Sequence, residues 1–325
     1  MHPDTTRTLN RVNGIIAGSF GFVANIILIA FILRSNTKAF RKVFLQVAII
    51  DLIFLLVTAA AEPIIMFVEG SELVVQNGYF RHIAQPYSNY MISAWIFGMY
   101  FSISSISVQF LYRYLILCRK MQPSALTFMG LLTGPFLVSL GISLIFVFGY
   151  AVTPDDEKYA TELLKDILVE TGETHVFAAS VSRKGSTVII VICGYVMCVI
   201  TSTYVIIIFC VIKIRATLKI SQTTMSKETR QLQNQLSWTF GMQALSPLVI
   251  SFGPLGYLAY TIMIQGTAFW SMMWFTTGFA WVPFTNAMLT LCFVGEFRQK
   301  LMFFRKHRSY VSSSNNNATL ATVIP

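Results

Sequence analysis

Charged residues are scarce in this sequence. Only 12% of the 325 residues are Asp, Glu, Lys or Arg, which is about half the share usual in soluble globular domains. Apolar residues make up 55% of the chain and lie in long runs. This composition excludes an ordinary soluble domain. It predicts membrane-spanning helices, because about 20 apolar residues cross the bilayer core and a helix satisfies its own backbone polar groups in lipid.

Groups suited to redox, metal or catalytic chemistry are also few. None of the five cysteines lies in a predicted outer loop, so no disulfide pair is predicted on the oxidising side. No group of His, Cys and carboxylates has metal-ligand spacing, and no glycine-rich phosphate loop is present. The sequence therefore predicts neither an enzyme nor a cofactor.

Seven predominantly apolar runs have the length of a membrane-spanning helix. They cover residues 13–33, 43–68, 88–118, 125–151, 186–212, 236–264 and 267–293. The segments between them are too short for a soluble domain. The sequence therefore predicts an all-α membrane protein whose single domain, residues 13–293, is a bundle of seven transmembrane helices.

Basic residues are distributed unevenly between the two ends of such a bundle. The end with the N-terminus has seven Lys and Arg residues, and the opposite end has seventeen. Because basic loops remain in the cytoplasm, we predict an outside N-terminus and an inside C-terminus. The net charge of +10 then lies against anionic lipid at the inner face, and no nucleic-acid partner is needed to explain it.

Both ends of the chain are predicted to lie outside the bundle. Residues 1–12 are polar and extracellular, and no cleavable signal pattern precedes the first span. Phe297, Leu301 and Phe304 recur at helical spacing among basic residues, which predicts an amphipathic membrane-surface helix over 294–308. Residues 309–325 are rich in Ser and Asn and are predicted to form a disordered cytoplasmic tail.

The longest outer loop, 153–185, holds seven acidic residues. Tyr159, Leu163, Leu164 and Ile167 could form one face of a short amphipathic helix within it. Two interpretations are open: the helix is a lid on the bundle, or the loop is solvated and contacts no ligand.

Two acidic residues lie within the second predicted span, where charge is costly and normally faces the bundle interior. Asp51 lies at a depth similar to that of Asn25 in the first span and Asn286 in the seventh. We predict a polar network of these three, which either locks helix packing or responds to a conformational change or an ion. Glu62, near the outer end, either faces a ligand cavity or snorkels to the outer headgroups.

The third span ends in Tyr112, Arg113 and Tyr114, close to the predicted cytoplasmic face. Arg113 is either an interfacial anchor beside belt aromatics or a switch residue that contacts the sixth span or an intracellular partner. Spacing alone does not separate these two roles.

Prolines interrupt the last two spans. Pro247 and Pro254 in the sixth and Pro283 in the seventh each remove a backbone hydrogen bond and predict a kink. Kinks serve helix packing in many membrane proteins. Two in the sixth span also suit a helix whose inner half swings.

These features together resemble G-protein-coupled receptors. The resemblance rests on seven spans with an outside N-terminus, on Asn25, on the run 48–52 around Asp51, and on Arg113 at the foot of the third span. The chain departs from rhodopsin-like receptors, since no acidic residue precedes Arg113 and Asn286 is followed by alanine rather than proline.

The chain is more similar to the nematode serpentine chemoreceptors of the Str superfamily. The sequence 112–114 resembles their helix-three ending, and the polar stretch 226–236, followed by Gln243 and Pro247, is similar to their entry into helix six. The resemblance covers about residues 13–305. It implies a chemosensory receptor of ciliated neurons, in the plasma membrane or the cilium membrane. Such a receptor binds a small odorant-like or peptide-like cue and activates a heterotrimeric G protein.

Candidate ligand contacts lie in the outer half of the bundle, where aromatic groups and few charges suit a small, mostly apolar ligand. For each candidate, ordinary packing or an interfacial position is the alternative. The candidates are Glu62, Trp95, Met99, Ser102, Tyr257, Trp274 and Thr277. The candidates for switching and G-protein contact are Tyr112, Arg113, Tyr114, Lys38, Arg119, Lys213, Arg215 and Lys227.

Two other functions compete with this one. A ligand-gated channel of the insect chemoreceptor kind has an inside N-terminus, which the charge distribution opposes. A small membrane transporter is opposed by the absence of an internal sequence repeat and of a charged path through the midplane.

Overall fold

The chain forms a bundle of long helices with a small sheet at one end. The computed structural model describes residues 3–35, 41–80, 82–165, 178–220, 226–264 and 269–299. We call the end with the sheet the outer end, following the predicted topology. In chain order the elements are α1 (Pro3–Leu33), α2 (Arg41–Ala61), β1 (Pro63–Val68), β2 (Ser71–Gln76), α3 (Tyr87–Leu117), α4 (Ala125–Gly149), α5 (Pro154–Leu163), β3 (Ala178–Ser182), α6 (Thr187–Ile220), α7 (Lys227–Met263), α8 (Phe269–Phe279) and α9 (Val282–Phe293).

The predicted seven-helix bundle is confirmed. Five of the described helices, α1 to α4 and α6, are each long and apolar enough to cross a membrane by length and composition. The sixth span is α7, which has 37 residues but carries many polar residues and two prolines. The seventh span is divided into α8 and α9, of 11 and 12 residues. The central helix is α3, which packs against α2, α4, α6 and α7.

The prediction that the second span runs to residue 68 is wrong, because α2 ends at Ala61 and a strand follows. Proline cannot donate the next helical hydrogen bond, and Glu62 before it has a positive φ of 39°. The apolar run from Pro63 to Val68 therefore pairs as β1 with β2. Glu69 and Gly70 form the connection with φ values of 49° and 80°, the two positive values that a tight type I′ hairpin turn requires.

The outer sheet has the antiparallel order β1-β2-β3. Because neighbouring side chains of a strand point to opposite faces, Ile65 and Val74 face the bundle. Ile64 and Leu73 face the other way and form an outer cluster with α5. The outer end is thus layered as helix, sheet and bundle.

The short helix predicted in the outer loop is confirmed as α5. A capping box between Thr153 and Asp156 starts it, and Leu164 packs against the sheet. The Nε of Arg183, just after β3, donates to Asp156 at 2.7 Å and ties the helix to the strand. Ile167 lies outside the described residues.

The predicted kink at Pro283 is a break in the seventh span. Residues 280 and 281 separate α8 from α9, and Pro283 is the second residue of α9. Both predicted prolines of the sixth span lie inside α7.

The predicted surface helix is described only as far as residue 299, where 295–299 are helical. Phe297 does not lie on a lipid-facing surface as predicted. It is buried in the bundle, with its ring 5.8 Å from that of Phe44, because the chain turns back toward α2 directly after α9. Leu301, Phe304 and the predicted tail lie outside the described residues.

Candidate functional site

The outer half of the bundle contains an apolar cavity of about 150 Å³ beneath the sheet. Helix α3 contributes Trp95 and Met99, which are both buried. Helices α4, α6 and α8 supply the other walls, and β1 and β2 form the roof. Two of the predicted ligand contacts, Trp95 and Met99, therefore lie together at one site.

A carboxylate also faces this cavity, from the roof. Glu72 lies in β2 beside Val74 and accepts a hydrogen bond from the hydroxyl of Tyr150, just past the end of α4. Tyr150 is fully buried and stacks on Phe146 with ring centroids 4.3 Å apart. Burial raises the pKa of Glu72, and the hydrogen bond from Tyr150 acts against this rise.

Glu72 was not among the predicted site residues, because residues 69–87 were assigned to the loop between the second and third predicted spans. A local signal was present: an apolar run with β-branched residues, a Glu-Gly pair and a second such run predict a hairpin. The partner strand β3 is about 100 residues away in the chain and has no comparable local signal.

The indole of Trp95 gives the cavity a potential hydrogen-bond donor. Its ring packs against Phe54 of α2, with centroids 6.2 Å apart. Among the described residues, the buried Nε1 has no hydrogen-bond partner. A buried donor without an acceptor is costly, so this N–H is available to a ligand.

Three other predicted ligand contacts on α7 and α8 do not line this cavity. Tyr257 and Trp274 are 48% and 69% exposed, because their side chains point away from the bundle. Thr277 joins α8 to α1, since its Oγ1 donates to Asn10 at 2.9 Å. Ser102 lies deeper on α3, at the level of Asp51.

Glu62 lines a different cavity, of about 280 Å³, between α1 and α2. A Cβ at Gly14 would lie 2.4 Å from Glu62 Oε1, so the glycine permits this carboxylate to lie against α1. Among the described residues, Oε1 has no hydrogen-bond partner. Glu62 therefore does not line the cavity beneath the sheet, and its side chain does not project freely into solvent.

Asp51 is buried in the middle of the bundle and bonds to α9. The Asn286 Nδ2 group donates to both carboxylate oxygens, at 3.3 and 3.1 Å. Gln243 of α7 donates to the Asn286 carbonyl at 3.0 Å. Asn25 instead donates to the carbonyl of Pro283, at 3.2 Å. The structure therefore joins Asp51 to Asn286 directly but links Asn25 to Pro283, beside the helix break, rather than to Asp51.

Several acceptor oxygens surround Asp51 in a cleft of about 10 Å³. The side-chain oxygens of Gln109, Gln243 and Asn286 line or border this cleft and have no partner among the described residues. A space of roughly this size holds one water. Carboxylate and amide oxygens are also suitable ligands for a hard cation. The cleft is therefore compatible with both predicted roles of Asp51, in helix packing and in ion sensing.

Arg113 is buried rather than interfacial, at 2% exposure. Its Nη2 donates to the carbonyl and Oε1 of Gln233, at 2.7 and 3.0 Å, and to Ser237 Oγ at 2.8 Å. All three acceptors belong to α7. The anchor interpretation is therefore wrong for Arg113, and the side chain ties the inner ends of α3 and α7 together.

The neighbours of Arg113 are fixed by other contacts. Tyr112 packs edge to face on Phe128, with centroids 5.4 Å apart. Tyr114 accepts a hydrogen bond from Arg119 at 3.2 Å. Basic residues at the exposed inner ends of the helices are Arg119, Lys213, Arg215 and Lys227; Lys38 lies outside the described residues.

Comparisons with known proteins agree with this arrangement. The profile of the family described as "Serpentine type 7TM GPCR chemoreceptor Str" matches residues 11–302. No curated protein sequence matches the chain. Among solved structures, the crystal structure of squid rhodopsin has a TM-score of 0.63 at 14% sequence identity, covering 98% of this chain and 93% of that chain.

The structural likeness supports the fold alone, and the family match confirms the resemblance drawn from the sequence. The protein is a multi-pass membrane protein, and the chain belongs to the Str family of serpentine seven-transmembrane GPCR chemoreceptors.

Proposed function

We propose that this receptor binds a small odorant-like cue in the cavity beneath the sheet and activates a heterotrimeric G protein. The observation that carries this proposal is the cavity itself: an apolar space in the outer half, walled by four helices and roofed by two strands. The proposed location is the plasma membrane of a sensory neuron, including its cilium.

The size of the cavity favours an odorant over a peptide. Sites for drug-sized ligands usually measure roughly 300–1,000 Å³, whereas a cavity of about 150 Å³ holds a molecule the size of benzene. The cavity in this receptor is about 150 Å³. It suits a compact ligand with a single ring or a short branched chain.

Helix α3 connects the ligand level with the inner face. It carries Trp95 in the cavity, Ser102 beside the Asp51 cleft, and Arg113 against α7. Eighteen residues separate Trp95 from Arg113, about 27 Å along a helix. A ligand activates the receptor only if it binds the active arrangement of the helices more tightly than the inactive one. Helix α3 lines the cavity at its outer half and contacts α7 at its inner end, so it connects the ligand site with the proposed movement of α7.

The inner change that we propose is separation of α7 from α3. Arg113 holds these helices through neutral acceptors on α7, and Pro247 and Pro254 weaken the backbone bonding of α7 above this contact. Release of α7 would expose Arg113 to the G protein. The exposed Arg119, Lys213, Arg215 and Lys227 would surround the docking surface.

Filling the cavity should lower the potency of agonists. Val196 of α6 lines the cavity and is 6% exposed. Val196→Trp should lower agonist potency by about tenfold or more, since the added ring occupies a space of ligand size. Agonists are first found by screening small volatile compounds for G-protein activation in a heterologous cell, and both potencies are then normalised to surface expression.

The matched control is Val191→Trp on the same helix, where the valine is 55% exposed and lies outside the cavity. This variant should respond as the wild type does. Equal loss in both variants would point to a general packing defect, and an unchanged response of Val196→Trp would place the ligand elsewhere.

A further inference from the structure

Among the described residues that line the cavity beneath the sheet, Glu72 is the only acidic or basic one. Its companions are mainly Ile, Val, Met and aromatic side chains. A receptor for a purely apolar cue would have no use for a carboxylate at this position, so Glu72 needs a chemical explanation.

Among the described residues, this carboxylate receives one hydrogen bond and forms no ion pair with a cation. The hydroxyl of Tyr150 donates to one carboxylate oxygen, and Ser182 of β3 is opposite Glu72 in the sheet. The basic residues that follow β3, Arg183 and Lys184, have exposed side chains. Arg183 is already paired with Asp156 on the outer side of the sheet.

Glu72 is only partly exposed, and a largely desolvated carboxylate without a nearby cation is unfavourable, because its desolvation is not offset by an opposite charge. A ligand ammonium group would supply that charge and N–H donors of the kind that make short, strong hydrogen bonds to carboxylates. The aromatic wall adds to this preference. Tyr100 and Phe146 line the cavity with Glu72, and aromatic faces attract cations.

We propose that the cue is a small primary amine with a single ring or short branched chain, and that Glu72 selects it by binding the ammonium group. This inference rests on the proposed function only in taking the cavity as the ligand site. The apolar walls bind the hydrocarbon part, and the volume of about 150 Å³ limits that part to roughly the size of benzene.

Binding of three matched probes to the purified full-length receptor in lipid nanodiscs tests this inference. Benzylamine, benzyl alcohol and ethylbenzene have the same ring and similar size, but only the first carries a cation at neutral pH. Affinities are measured as thermal stabilisation at increasing probe concentration. Benzylamine should bind wild type most tightly, because it alone forms a charge-assisted hydrogen bond with Glu72.

Glu72→Gln keeps the shape and the acceptor for Tyr150 but removes the charge. It should weaken benzylamine binding by about tenfold or more and leave ethylbenzene binding within about twofold, which also shows that the cavity is intact. The matched control is Glu69→Gln, an exposed carboxylate in the turn of the same hairpin, which should leave all three affinities unchanged.

Three results would overturn the assignment: benzylamine binding no more tightly than ethylbenzene, no binding of benzylamine to wild type, or equal benzylamine affinities of wild type and Glu72→Gln. The readout is separate from signalling. A receptor that binds amines through Glu72 but never activates a G protein would refute the proposed function and keep this inference. Activation of the receptor by non-amines through the same cavity would refute this inference and keep the proposed function.

Discussion

Replacing Arg113 by lysine should lower agonist-stimulated nucleotide exchange on the G protein by about tenfold or more, with agonist affinity and surface expression nearly unchanged. Arg113 is buried and one guanidinium nitrogen reaches three acceptors on α7. After α7 is released, we expect this guanidinium to contact the G protein. Lysine keeps the charge but lacks the planar, multi-donor fork for that contact. Losing one charge-assisted hydrogen bond there costs roughly 1.5–3 kcal/mol, which is about one to two powers of ten in an equilibrium. Exchange is measured per surface receptor at saturating agonist.

Ser237→Ala separates the two roles of this contact. It removes one acceptor on α7 and leaves Arg113 free to meet the G protein. Basal exchange should therefore rise severalfold, because the closed arrangement of α3 and α7 is weakened, while the maximal response is kept. Arg113→Ala should reduce the maximal response at least as far as Arg113→Lys does. If Arg113→Lys signals like the wild type, the guanidinium geometry is not used in activation.

Asp51→Asn should reduce agonist efficacy by about fivefold with near-normal surface expression. The carboxylate accepts two hydrogen bonds from Asn286, and unpartnered amide oxygens of Gln109 and Gln243 lie around the same cleft. An asparagine keeps one acceptor oxygen for Asn286 and loses the other, but it removes the buried charge and brings an N–H donor to the oxygens of Gln109 and Gln243. Satisfying one buried acceptor is worth about 1 kcal/mol, so the arrangement seen in this structure gains stability and activation becomes harder.

The control for Asp51 is the exchanged pair, Asp51→Asn with Asn286→Asp. It restores one carboxylate and one amide to the same contact between α2 and α9. Signalling should recover at least in part, and the double-mutant cycle gives the coupling between the two residues. Equal signalling of Asp51→Asn and wild type per surface receptor would leave Asp51 with a packing role alone.

The bundle could be predicted because each span depends on the apolar composition of its own segment of the chain. The apolar runs for α3 and α4 match the observed helices within two residues at each end. The second span could not be placed in the same way, since hydropathy does not distinguish the apolar strand β1 from the end of α2. The end of α2 could have been predicted from Glu62 and Pro63, because a helix usually ends at or before the residue that precedes a proline.

The candidate site could be predicted only where one helix defines it. Trp95 and Met99 are one turn apart on α3, and both line the cavity beneath the sheet. Glu72 required the pairing of β2 with a strand about 100 residues away, and Arg113 required its partners on α7. Tyr257 and Trp274 were placed on the correct helices, but the orientation of a kinked or broken helix does not follow from spacing.

In the proposed activation, a ligand in the outer cavity separates the inner ends of α3 and α7. Spin labels at the exposed Arg119 and Arg230 report that separation in receptors reconstituted in nanodiscs, by pulsed electron paramagnetic resonance. Agonist should lengthen the distance in wild type and in Val191→Trp, and leave it unchanged in Val196→Trp. An agonist that stimulates nucleotide exchange while the Arg119–Arg230 distance stays constant would contradict the account.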